Sequence, residues 1–217
     1  VKDYAVARRR MVQQQLVPAG VTDERILSVM AEIPRHLFVP RLLRPRAYES
    51  CALPIGYGQT ISQPLIVGLM SMLLELRGDE KVLEVGTGSG YQAAILSRLA
   101  DRVVTVERIE PLALRAARLL AKLGIDNVDV LTSDGTLGIP EEAPFDAIMV
   151  TASPEQLPSE LFHQLAEGGR LVIPIGPPDS QILYRYHKRE GEPVIERSLP
   201  VRFVPLLSGV VREDDDA

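Results

Sequence analysis

The sequence predicts an α/β fold: a doubly wound, mostly parallel sheet with an antiparallel C-terminal edge and an N-terminal helical extension. Three observations carry this. Short β-branched runs alternate with helical stripes between residues 64 and 173. A glycine-rich turn, Gly86-Thr87-Gly88-Ser89-Gly90, joins one such run to the helix after it. Two strand-like stretches near the C-terminus have no helix between them, the pattern of a hairpin at a sheet edge.

The elements follow in order. Tyr4 to Val17 reads as a polar, basic helix that stops before Pro18-Ala19-Gly20. Thr22 is the expected N-cap of a second helix, with Asp23 and Glu24 in its first turn, where the dipole favours acids. Ile26, Leu27, Met30 and Ile33 then mark one helix face as far as Pro34. From Pro34 to Pro64 prolines and glycines interrupt any long element, so a long loop is expected; ordered loops of that length are disproportionately functional. An apolar helix runs from Pro64 to Leu76. Strands are expected at Lys81–Val85, Arg102–Val106, Val128–Leu131 and Phe145–Val150, with helices at Tyr91–Leu99 and Pro111–Leu123 between the first three. Pro158 to Leu165 is read as a helix stopped by Gly168-Gly169, before a strand at Arg170–Ile173. Gln181–His187 and Val194–Val204 are the hairpin strands. The division is a helical and loop extension at 1–64, a core at 65–209 and an acidic tail at 210–217, expected to be disordered because like charges at a terminus repel and bury nothing.

At 217 residues the chain is long enough to bury a core without covalent staples. Its single cysteine, Cys51, excludes an internal disulfide and reads as a small packing residue. A net charge of −5 argues against broad electrostatic binding of nucleic acid. No apolar run approaches the ~20 residues of a membrane span. Val1-Lys2-Asp3-Tyr4 has no apolar block behind it, so a signal peptide is not expected and the cytoplasm is the expected location. His36, His163 and His187 lack metal-ligand spacing, and no metal is expected. The Arg8-Arg9-Arg10 run reads as a solvated helix face.

The chemistry concentrates at Leu83-Glu84-Val85-Gly86-Thr87-Gly88-Ser89-Gly90-Tyr91. Glycines let a ligand approach where a Cβ would clash, and the helix behind them offers free N–H groups. A dinucleotide fingerprint would put its third glycine where Tyr91 stands. Glu84, ahead of the glycines, would repel a pyrophosphate and attract a cation. The loop resembles motif I of class I S-adenosylmethionine (SAM)-dependent methyltransferases, though a glycine-rich loop alone leaves other nucleotide folds open. Two further strand ends agree. Glu107 lies 19 residues after Gly88, where a carboxylate accepts from ribose hydroxyls. Asp134-Gly135 ends the next strand, where an Asp can accept from an adenine amino group or simply start a turn. After the fourth strand, Thr151-Ala152-Ser153-Pro154 lacks the Asn- or Asp-Pro-Pro-aromatic motif of amino-group nucleic-acid methyltransferases.

The loop Leu53-Pro54-Ile55-Gly56-Tyr57-Gly58-Gln59-Thr60-Ile61-Ser62-Gln63-Pro64, with Pro34-Arg35-His36-Leu37-Phe38-Val39-Pro40 and Arg202-Phe203-Val204-Pro205-Leu206, resembles the protein-L-isoaspartate (D-aspartate) O-methyltransferase family. The likeness covers nearly the whole chain and includes Glu167-Gly168-Gly169-Arg170-Leu171-Val172. It implies transfer of the SAM methyl to the α-carboxylate of L-isoaspartyl residues in damaged proteins and peptides. S-adenosyl-L-homocysteine is the by-product, and the ester goes on to aspartate through a succinimide. It implies Ser62 as the catalytic residue, although Ser-Gln-Pro is also a plausible helix N-cap. It implies a cofactor site made of Gln59, Thr60, Ile61 and Ser62, of Glu84, Gly86, Thr87, Gly88, Ser89 and Gly90, and of Glu107, Arg108, Asp134 and Gly135. Pro54, Ile55, Val204 and Leu206 are expected as walls of a peptide cleft that grips backbone rather than side chains. No nucleic acid, membrane or obligatory oligomer is expected as partner.

Overall fold

The computed structural model describes residues 4–212. Helix α1 spans Tyr4–Met11, continues as a wider turn over Val12–Leu16 and a tighter one over Val17–Ala19, and ends at Gly20, whose φ is 95°. Helix α2 covers Glu24–Glu32. Its cap is Asp23, which accepts from the Arg25 N–H, so the expected Thr22 cap is one residue early. The expected loop from 34 to 64 is more ordered than its prolines indicate. It holds 3₁₀ turns at Arg35–Leu37 and Arg41–Arg46, and a hairpin of β1 (Leu53–Gly56) with β2 (Gln59–Ile61). Tyr57 and Gly58 make its two-residue turn with positive φ at both positions, 54° and 68°, the geometry that matches strand twist.

Helix α3 (Pro64–Leu73) leads into β3 (Lys81–Val85), α4 (Tyr91–Leu96), β4 (Arg102–Glu107), α5 (Glu110–Lys122) and β5 (Val128–Thr132). Then come β6 (Phe145–Val150), α6 (Ser159–His163), β7 (Leu165–Ile175), β8 (Gln181–Arg189) and β9 (Glu192–Val201). Gly168 and Gly169 do not stop a helix; they lie inside β7, where the β6–β7 register shifts. A Cβ on Gly169 would meet the Asp146 carbonyl oxygen at 2.9 Å, so glycine allows the strands to close up at that irregularity.

The seven strands lie in the order β5-β4-β3-β6-β7-β8-β9. The first five pair in parallel and the last two are antiparallel, as the sequence predicts. Strand alternation divides the core in two. Val82, Val103 and Met149 face helices α1 to α5, while Leu83, Val85, Val104 and Ile148 pack on the side of α6. Chain connections from β3 run outward to β4 and β5 and then cross back to β6. The crevice between the carboxyl ends of β3 and β6 is therefore the topological switch point, where open α/β sheets bind ligands.

The segment after β9 crosses those carboxyl ends. Ser153 bridges Pro205, and Ile109 bridges Val211, with Glu110 N–H donating to the Val211 carbonyl at 3.0 Å. Within the tail expected from 210 onward, Val211 is held by Arg108, Ile109 and Glu110 just past β4; 213–217 lie outside the described residues. Leu83→Ala, at a central position with no exposed surface, is expected to cost about 3 kcal/mol in urea unfolding. Ile195→Ala, on the exposed outer strand, is expected to stay within about 0.5 kcal/mol.

Candidate active site

The floor of the site is the turn after β3. Gly86 and Thr87 N–H groups both donate to the Val106 carbonyl, at 2.8 and 3.2 Å, which folds the turn against the end of β4. On the other side the Thr151 hydroxyl donates to the Gly86 carbonyl at 2.7 Å. Gly86 has φ 99°, and a Cβ there would lie 2.3 Å from that hydroxyl oxygen. Only glycine meets both conditions. Gly90, with φ 84°, abuts the Ala116 side chain instead, so its role is the packing of the α4 start on α5.

One pocket follows this floor between Val85, Gly86, Gly88, Val106, Glu107, Arg108 and Ile109, with Gly135 at one end and Val204–Leu207 opposite. Glu107 ends β4 there. Its Oε2 accepts from the Gly88 N–H at 2.8 Å and its Oε1 from the Ile109 N–H at 3.0 Å. It braces the glycine turn while lining the pocket. Arg108 also lines it, and its guanidinium donates to the Ser208 and Gly209 carbonyls. Asp134 does not line it. Its Oδ1 accepts from Thr136 N–H and hydroxyl and its Oδ2 from the Gly209 N–H, so the turn-forming reading describes its carboxylate and Gly135 takes the lining position.

A second pocket lies over Thr87, Gly88 and Ser89 and reaches Thr60, Ile61, Ser62, Tyr91 and Gln92. It opens toward a wider cleft of about 820 Å³ between Ser62, Gln63, Leu65 and Ile66 on one side and 199–204 on the other. Thr60 and Thr151 line all three cavities, and Ser62 lines the last two. Gln59 lines the first. Phe203 lines the wide cleft together with Ser62, and of the four expected wall residues Val204 alone lines that cleft, continuing into the first pocket. Leu206 lines only the first pocket. Pro54 is exposed on the hairpin, but Ile55 is 1% exposed and packs beneath Gly88, so it supports the floor and offers no cleft wall.

Ser62 is not the cap of α3. That position is Gln63, and the Ser62 hydroxyl makes no hydrogen bond to another described residue. Thr151 is the residue the sequence reading passed over. Its position just after β6, beside the glycine turn, is the available signal, and nothing in Thr151-Ala152-Ser153-Pro154 itself marks it.

Glu84 stands apart from the pockets. Strand alternation turns it into the face packed by the helices, where it has no exposed surface. Its Oε2 accepts from the Thr105 hydroxyl at 2.5 Å, Thr105 Oγ1 lies 2.7 Å from Thr87 Oγ1, and Glu84 Oε1 has no described partner. Burial pushes the carboxyl up to about 8; the Thr105 hydrogen bond opposes this and the Glu107 charge adds to it. The folded state then keeps a proton that the unfolded chain sheds above the ordinary glutamate value of 4.5. Because the native form binds more protons across that window, stability falls as pH rises from 4.5 to about 8. Glu84→Gln removes the titration, so its stability relative to the parent is expected to rise between about pH 5 and pH 8 in urea unfolding. A pH-independent difference would mean that native Glu84 is already ionised.

Comparison with known proteins agrees with this geometry. A family model described as Protein-L-isoaspartate(D-aspartate) O-methyltransferase matches residues 7–211. A protein-L-isoaspartate O-methyltransferase of Geobacter metallireducens is 55% identical over 206 residues, 94% of this chain and 95% of its own. That of Hahella chejuensis is 56% identical over 207 residues, 94% of this chain and 97% of its own. A solved protein-L-isoaspartate O-methyltransferase aligns at a TM-score of 0.83 and 32% identity, covering 93% of this chain and 67% of that one. A Plasmodium falciparum structure described under the same activity, in complex with S-adenosyl-L-homocysteine, aligns at a TM-score of 0.80 and 26% identity, covering 92% of this chain and 98% of that one. The architecture is that of a class I SAM-dependent methyltransferase, and the chain belongs to the protein-L-isoaspartate (D-aspartate) O-methyltransferase family.

Proposed function

We propose that this chain methylates the α-carboxylate of L-isoaspartyl residues in damaged proteins and peptides, with SAM as donor, and so starts their return to aspartate. The observation that carries the reading is the junction at Thr60, Ser62 and Thr151, where the pockets along the glycine turn meet a cleft of peptide size.

The residues present fit SAM. Gly86 and Gly88 leave room for close backbone approach, and Glu107 brings a carboxylate to the pocket wall where a ribose diol needs an acceptor. Val106, Ile109 and Leu206 give that pocket apolar walls suited to a base. Gln59, Thr60 and Arg108 close its rim, with Gly135 at the end; Thr87, Ser89 and Ile61 border the neighbouring pocket. When bound, SAM supplies an electrophilic methyl group on a sulfonium. Asp134 and Glu84 serve this site through the structure around it: Asp134 holds the 208–209 segment, and Glu84 supports the glycine turn through Thr105 and Thr87.

The nucleophile needs no base. An isoaspartyl α-carboxylate has the pKa of an α-carboxyl, about 3.5, and is ionised at neutral pH. The protein has to hold one oxygen in line with the methyl and keep competing water out, which is catalysis by orientation. The Ser62 hydroxyl is uncommitted and can donate to that carboxylate without neutralising it. Among the described residues lining the wide cleft only Arg202 is charged, and its side chain is exposed to solvent; the Arg35 guanidinium that donates to the Ser62 carbonyl is buried behind the loop and lines none of the three cavities. Val204 and Phe203 supply the opposite wall, and a cleft with a single charged lining residue suits a substrate known by its backbone more than its side chains.

Two peptides identical except for Asp against isoAsp, offered with methyl-labelled SAM, test the reading. Label is expected in the isoaspartyl peptide alone; equal labelling, or none, ends it. Ser62→Ala is expected to lower kcat by roughly 10²-fold while S-adenosyl-L-homocysteine binding stays near the parent value. Unchanged turnover would remove Ser62 from the mechanism.

A further inference from the structure

Arg35 has no exposed surface. Its Nε donates to the Ala47 carbonyl and its Nη2 to the Ser62 carbonyl, both at 2.7 Å. Nη1 is buried with no described partner. The guanidinium carbon lies 4.9 Å from the centre of the Tyr91 ring, which Phe38 meets edge-on at 5.4 Å. Tyr91 itself is 1% exposed, and its hydroxyl too has no described partner. The ionisable groups that face Arg35 are the Tyr91 and Tyr48 phenols and the Cys51 thiol, and no carboxylate pairs with it among the described residues. A guanidinium stays charged. Burying it without a counter-charge works against stability, and an apolar side chain of similar volume packs such a place at least as well.

We propose that Arg35 is the positioning residue for Ser62, a role that rests on the assignment of Ser62 above. Ser62 is constrained on both flanks. Ile61 before it is laddered to Leu53, and Gln63 after it is held extended, at φ −58° and ψ 149°, ahead of Pro64. The free variable is the tilt of the peptide plane between Ser62 and Gln63. Nη2 fixes that plane through its carbonyl, while Nε in the same planar fork anchors to Ala47 and the Tyr91 ring supports the fork. With the plane set, only χ1 of Ser62 remains to aim its hydroxyl into the cleft. Tyr91 begins the helix behind the glycine turn, so the same guanidinium ties the Ser62 segment to the floor of the neighbouring pocket.

Steady-state kinetics on an isoaspartyl peptide, run as a double-mutant cycle, test this. Arg35→Met removes the fork and keeps the volume. It is expected to lower kcat about tenfold or more while S-adenosyl-L-homocysteine affinity stays within about threefold. In the Ser62→Ala background the same change is expected to cost less than about twofold, because the group it positions is gone. Arg35→Lys keeps the charge but cannot hold both carbonyls, so it is expected to fall well short of parent turnover. A thermal midpoint measured alongside separates loss of packing, which lowers stability in both backgrounds, from loss of aim, which depends on Ser62. Turnover of Arg35→Met or Arg35→Lys at the parent level overturns the inference, as do losses that multiply in the double variant. If Arg35→Met does not fold at the assay temperature, Arg35→Lys carries the cycle with the same two outcomes. Parent turnover in Ser62→Ala overturns the assignment of Ser62 and this inference with it, whereas a slow Ser62→Ala with multiplying losses overturns this inference alone.

Discussion

The closeness of the β3 turn to the ends of β4 and β6 is the constraint on which the site depends. Gly86 is clamped there from two sides: its N–H donates to Val106 and its carbonyl accepts from Thr151. Each bond is worth only about 1 kcal/mol net. Their effect is geometric, since together with the 2.3 Å limit on any Cβ they allow one residue type and one path for the chain. The path opens the switch-point crevice. Everything that lines it on the sheet side, from Gly88 and Glu107 to Gly135, stands where it does because the turn is flattened against the strand ends.

Three carboxylates close to this turn show how environment assigns roles. Glu84, one residue short of the strand end, faces inward, where burial favours its protonated form. Glu107, at the end of its strand, divides its oxygens between two backbone N–H groups and still meets the pocket. Asp134, two residues past Thr132 at the end of β5, is drawn to Thr136 and Gly209, and these hydrogen bonds hold it below the usual carboxylate range despite some burial. Sequence places all three at neighbouring strand ends, and spacing alone makes them look alike. A shift of one or two residues along an alternating strand decides between core, pocket and brace.

That explains which parts were readable beforehand. Strands β3, β4, β5 and β6 are β-branched runs bounded by glycine or acidic turns, and the burial of β3, β4 and β6 on both faces gives those three a strong signal, while β5 at the sheet edge is only partly covered. The hairpin at 53–61 looks like loop in the sequence because its strands are three and four residues long and one contains Pro54. Its order comes from tertiary support: Ile55 and Ile61 are buried, and Arg115 donates to the Ile55 carbonyl at 2.6 Å. Thr151 was missed for a related reason. Nothing local marks it, and its meaning arises only when β6 is laid beside β3.

The segment after β9 completes the argument about access. It is pinned at Ser153, where Ser153 N–H meets the Val204 carbonyl and Leu206 N–H meets the Ser153 carbonyl, and again at Arg108, Asp134 and Ile109. Between these points Val204 to Leu207 forms one wall of the cofactor-sized pocket, and Val204 continues into the peptide-sized cleft. One stretch of backbone therefore faces both occupants. Methyl transfer between a cation and an anion needs little from acid–base groups, and much from the distance between two molecules held in separate cavities. A shared wall on one side and Thr60 to Ser62 on the other, each tied to the sheet by backbone hydrogen bonds or by the Arg35 fork, is a way of fixing that distance without placing a charge between them.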